Sequence, residues 1–116
     1  MLKVHAKKLD SAEVLCLEGK IVTGGADTLR SAVESASGDI VLDLSKVTIV
    51  DAHGLGVLLE LREQTRANGI HFELINVNDR LLRVFKITRL NTVFEINSGA
   101  AFLPKPTYAP QMLVAA

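Results

Sequence analysis

The sequence predicts an α/β fold: a mixed β-sheet that opens with a hairpin, continues in parallel strands and is packed with helices. Three observations predict it. From residue 26 onward, short β-branched runs alternate with segments of helical periodicity. Before that, two strand-like runs are separated only by a turn. Glycine, asparagine or an Asp-Ser pair punctuates most of the junctions.

Leu2 to Leu9 alternates apolar and polar residues, as a strand with one covered face does. Asp10-Ser11 is a turn signal, and Glu13 to Glu18, centred on Val14, Leu15 and Leu17, completes the hairpin. Gly19 to Gly25 reads as a loop or strand end. Ala26 to Ala36 has helical spacing, with Leu29, Ala32, Val33 and Ala36 on one face, and Ser37-Gly38 ends it. Ile40 to Leu44 is an apolar run suited to a buried central strand, and Val47 to Val50 is a shorter extended piece. A second helix runs from about Ala52 to Asn68 and is closed by Gly69. Leu55, Val57, Leu58, Leu59 and Leu61 spread around it, which implies packing on a sheet. Ile70 to Val77 reads as a strand. Asn78 caps a third helix, Asp79 to about Ile87, with Leu81, Leu82 and Phe85 inward. Thr92 to Ile96 is a short last strand. Residues 1–97 form the domain, and residues 98–116 form an apolar C-terminal arm that Pro104, Pro106 and Pro110 keep from being one helix. The arm is expected to pack on its own domain; the alternative is a homodimer formed through it.

The 116 residues are enough for one domain, and a hydrophobic fraction of 48% supports a core. Thirteen basic residues balance thirteen acidic ones, so there is no bulk charge to draw nucleic acid or an anionic membrane. Cys16, the single cysteine, excludes an internal disulfide and suggests a reducing compartment. Between Leu15 and Leu17 it reads as a small buried hydrophobe. No apolar run approaches the roughly 18 to 20 residues of a membrane span, and a signal-peptide core is lacking. The expected location is therefore cytoplasmic.

Catalytic patterns are sparse. His5, His53 and His71 lie on three elements without metal-ligand spacing, so no metal is expected. Gly54-Leu55-Gly56 is a fragment of a dinucleotide fingerprint, but Leu59 stands where the third glycine belongs, so no cofactor is expected. Nothing in the sequence brings Asp43 to Asp51, and no nucleophile–base pair can be assembled, so no enzyme is expected. The informative stretch is Thr48 to Val57, where a strand ends and a helix begins. Asp51 suits the N-cap, and the first N–H groups of the helix are free to meet an anion or a partner carboxylate. Spacing alone yields a capped helix after a strand.

Asp51-Ala52-His53-Gly54-Leu55-Gly56-Val57, preceded by Ile40 to Leu44 and Val47 to Val50, closely resembles the signature of STAS domains, which include the bacterial anti-sigma factor antagonists. Leu17 to Ile21, and Ile70 to Val77 followed by Asn78 to Phe85, are similar to further segments of that family. The resemblance implies a STAS-like fold with about four helices. It also implies a protein-binding regulator that engages an anti-sigma factor which is also a serine kinase. The implied partner-binding residues are Asp51, Ala52, His53, Gly54, Leu55 and Thr23. In the family, phosphorylation of the Ser after the motif Asp breaks the complex. Here Ala52 holds that phosphoacceptor position and His53 that of the second hydroxyl residue; Lys20 and Val22 also depart from the family's usual acidic residues. Three readings stay open: a constitutive binder, His53 as a pH-sensitive or phosphorylated substitute, or phosphate on Ser45 or Thr48, of which Thr48 is expected to be poorly exposed. A different class of function is an accessory STAS subunit of a lipid-transport ATPase or of a stress-signalling assembly.

Overall fold

In the computed structural model, residues 2–97 are described, and they form one five-stranded sheet with helices on a single face. Strand β1 (Leu2–Leu9) turns at Asp10, whose φ of 51° is left-handed, into β2 (Ala12–Ile21). There follow α1 (Ala26–Ser35), β3 (Asp39–Val50), α2 (Ala52–Ala67), β4 (Phe72–Ile75), α3 (Asp79–Ile87), a 3-10 turn (Leu90–Thr92) and β5 (Glu95–Asn97). The strands lie in sequence order; β1 runs antiparallel to β2, and every later pair is parallel.

That order explains why the helices share a face. Crossovers between parallel strands of one sheet are right-handed as a rule, and all three here step in the same direction across the sheet. Leu29 and Val33 of α1, Val57, Leu58 and Leu61 of α2, and Leu81 and Phe85 of α3 meet Leu15, Leu17, Leu42, Leu44 and Leu74 of the strands in one core. The opposite face carries a smaller cluster of Val14, Val41 and Ile75, with Leu9 and Cys16 against it. Phe94 closes one end of the core against Phe72 and Phe85, at centroid distances of 6.5 and 5.7 Å.

Several boundaries differ from the sequence expectation. The two extended pieces, Ile40 to Leu44 and Val47 to Val50, are one twelve-residue strand. Two irregularities in its pairing with β2 let Leu44, Val47 and Val50 all turn inward, so the apolar period changes from two to three. The β2 strand runs to Ile21, so Gly19 to Ile21 belongs to the sheet and the loop is shorter. The β4 strand keeps only the four central residues of the expected Ile70 to Val77. Thr92 to Ile96 divides into a 3-10 turn and β5. Leu82 is half-buried while Leu81 and Phe85 carry the buried face of α3. Three α-helices and the 3-10 turn stand among the described residues, beside the expected four or so. The arm of residues 98–116 lies outside the described residues. No helix among them is long and apolar enough to cross a membrane.

Candidate functional site

The loops after β2 and before α2 leave the same end of the sheet, because Ile21 pairs with Val50 at the last rung of the ladder. The chain enters α2 through Asp51, extended at φ −94°, whose Oδ1 accepts from the Gly54 N–H at 2.8 Å. This is the expected N-cap. The Asp51 N–H in turn donates to the Ile21 carbonyl at 3.4 Å. The helix start is thereby held against the end of β2.

Gly54 is required by that closeness. A Cβ on it would stand 2.0 Å from the Ile21 carbonyl oxygen, which is backbone and cannot give way. Ala52 and His53 project from the first turn and are exposed, while Leu55 is half-buried against the core. Thr23 is exposed in the turn closed by the Gly25 N–H donating to the Val22 carbonyl at 2.8 Å, two residues beyond Ile21. The tip therefore gathers Asp51, Ala52, His53, Gly54, Leu55 and the Thr23 loop at one edge of the molecule. Ile49, 44% exposed at the end of β3, adds an apolar side chain beside it. Free N–H groups at the start of α2 give this surface partial positive character.

Other sequence candidates separate. Asp43 sits mid-strand on the open sheet face, and its Oδ1 accepts from the Ser45 N–H at 2.9 Å; Asp51 is engaged at the helix cap, so the two form no dyad. Thr48 is exposed, contrary to expectation, because the second irregularity in β3 turns it outward; its hydroxyl donates to the Gly19 carbonyl at 3.3 Å. Cys16 is half-buried on the open face, between His5 of β1 and Asp43 of β3. Burial first, and then the nearby Asp43 charge, push its thiol above the ordinary range. It stays a thiol at neutral pH, in keeping with its reading as a small hydrophobe.

The three histidines lie in β1, in α2 and just ahead of β4, but His71 has partners that spacing along the chain does not reveal. Its ring meets Glu73 and Glu95, the one group of three metal-ligand side chains found among the described residues. Glu73 lies two residues on, within β4, and Glu95 is its partner in the β4–β5 register. The signal present in the sequence is the alternation His71-Phe72-Glu73; the cross-strand partner depends on register.

The STAS domain family model matches residues 3–101. The anti-sigma-B factor antagonist of Listeria monocytogenes is 29% identical over 102 residues, covering 84% of this chain and 90% of that protein. Among solved structures, a putative anti-sigma factor antagonist of Thermotoga maritima superposes with a TM-score of 0.73 at 22% identity, covering 80% of this chain and 84% of that one. An anti-sigma factor antagonist from Mycobacterium paratuberculosis gives 0.70 at 20% identity, with 83% and 85% covered. These two structural likenesses bear on the fold.

Proposed function

The chain belongs to the STAS domain family, and from that premise we propose that it is a non-catalytic protein-binding regulator of the anti-sigma factor antagonist type. Its partner is an anti-sigma factor that is also a serine kinase. The docking surface is the tip formed by Asp51, Ala52, His53, Gly54, Leu55 and the Thr23 loop. The observation that carries this reading is the exposed first turn of α2, held in place by the Asp51 cap and the contact of Gly54 with Ile21. A rigid, preformed tip loses little conformational freedom on docking.

Ala52 occupies the phosphoacceptor position, and its methyl group cannot take phosphate. The complex is therefore constitutive with respect to that switch. The helix start itself would accept the charge: a phosphate there meets free N–H groups and the positive end of the helix. Phosphate at position 52 would act on the partner contact rather than on the fold.

The test is a pull-down and calorimetric titration with the kinase-type anti-sigma factor from the same genome. Wild type is expected to bind and, with ATP present, to stay bound and unlabelled. Ala52→Ser is expected to bind, to acquire label, and then to dissociate. A folded wild-type domain that shows no binding would sink the reading, and label on the wild type would remove its constitutive part.

A further inference from the structure

The His71, Glu73 and Glu95 group lies at the opposite end of the sheet from the tip, because Ile40 at the start of β3 pairs with Phe72 at the start of β4. The His71 Nε2 atom stands 3.1 Å from Glu73 Oε1 and 3.5 Å from Glu95 Oε2. All three ligand atoms fall within 4.8 Å of one another. A tetrahedral ion with bonds of about 2.0–2.2 Å holds its ligand atoms roughly 3.3–3.6 Å apart. The two distances from Nε2 are close to that edge length, so one ion reaches all three side chains with small rotations.

Charge is a separate observation. The Glu73 side chain is 10% exposed, and a second carboxylate, Glu95, points at the same imidazole nitrogen. Among the described residues, no Lys or Arg forms an ion pair with either carboxylate. Arg62 and Arg66, which line the adjoining cleft, pair with Glu63 instead. The imidazole of His71, which is cationic only when protonated, is the one basic group that meets both carboxylates among the described residues. A divalent ion would take the place of the proton on Nε2 and bring positive charge to both carboxylates, leaving the ring proton on Nδ1.

The surroundings are built as outer partners of a metal site are. The Asn97 amide donates to Glu73 Oε2 at 2.8 Å and to Glu95 Oε2 at 3.1 Å, orienting both carboxylates together. The His71 backbone N–H donates to Asp39 Oδ1 at 3.0 Å, which fixes the residue ahead of β4. His71 and Glu95 also line a cleft of about 620 Å³, so a fourth coordination position is reached from solvent.

We infer that His71, Glu73 and Glu95 bind a divalent first-row transition ion of the zinc type, with Asn97 as a positioning residue. The imidazole nitrogen selects against Mg²⁺ and Ca²⁺, which take oxygen donors. The inference stands apart from the proposed docking function and uses none of its residues.

The probe is Co²⁺, titrated into the full chain after chelator treatment and followed by visible absorption and thermal melting. Wild type is expected to bind one equivalent, to develop bands distinct from the aqueous ion, and to melt at a higher temperature with the ion bound. His71→Ala, a change at a partly exposed residue, and Glu73→Gln, nearly identical in shape, are each expected to weaken binding at least about tenfold. Asn97→Ala is expected to weaken it by about 10- to 100-fold. His5→Ala on β1 is expected to bind as wild type does. Absence of new bands with wild type overturns the inference, as does undiminished binding by His71→Ala.

Discussion

The two glycines of the Gly54-Leu55-Gly56 motif look equivalent along the chain and are not equivalent in the molecule. Gly54 is buried with the Ile21 carbonyl where a side chain would begin, whereas a Cβ on Gly56 meets nothing within 4 Å. Both lie within α2, where glycine costs about 0.5–1 kcal/mol relative to alanine. Gly56→Ala should therefore raise stability by about that amount, while Gly54→Ala should lower it by about 1–3 kcal/mol through overpacking. Urea unfolding of the two variants measures both, and equal effects would contradict the structural distinction. The sequence marked the motif but could not rank its glycines, since the difference is made by a strand some thirty residues earlier. The metal-type cluster was hidden for a related reason. His71, just ahead of β4, and Glu73 within it are two apart along the chain, but their third member arrives only through the β4–β5 register.

At the scale of elements, capped helices were legible and strand irregularities were not. Asp51 and Asn78 do cap α2 and α3, the latter by accepting from the Leu81 N–H at 2.9 Å. Cap chemistry is local, so a single residue type in front of a periodic run identifies it. The residues of β3 look like two extended pieces in the sequence because its inward residues change spacing after Leu44. The causes are side chains that only the paired sheet reveals. The Asp43 carboxylate takes up the Ser45 N–H at the first irregularity, and Thr48 bonds the Gly19 carbonyl near the second. Asn78 does more than cap: its Nδ2 also donates to the Val47 carbonyl at 3.3 Å, tying the start of α3 to the irregular half of β3. Asn78→Asp retains the acceptor and removes this donor, whereas Asn78→Ala removes both. Asn78→Ala is expected to cost about 1–2 kcal/mol, and Asn78→Asp less. Thermal denaturation of the pair separates the two roles; an Asn78→Asp variant as stable as wild type would mean that the link to β3 contributes nothing.

For the whole molecule, the sequential strand order sets where stability concentrates. The α/β class, the opening hairpin and the parallel order were legible because each depends on local runs and connection lengths. That all three crossovers fall on one face follows only once the strand order is known. Strand β3 is central, bonded to β2 along most of its length and to β4 at its start, with buried side chains toward both faces. Strand β5 has three residues and lies at the edge, anchored mainly through Phe94 just ahead of it. Opening β5 exposes little apolar surface, while opening β3 dismantles the core shared by all three helices. Native-state hydrogen exchange should therefore find the amides of Ile40 to Leu44 exchanging last, near the free energy of global unfolding. Those of Ile96 and Asn97 should exchange through a smaller, local opening. The edge strand carries Glu95 and Asn97, so a local opening of β5 breaks the site as global unfolding does, and ion binding should slow exchange in β5 and β3 by the same factor, with β5 remaining the faster. Slowing of β3 without slowing of β5 would instead mean that β5 opens with the ion still held, and that Glu95 is not one of its ligands.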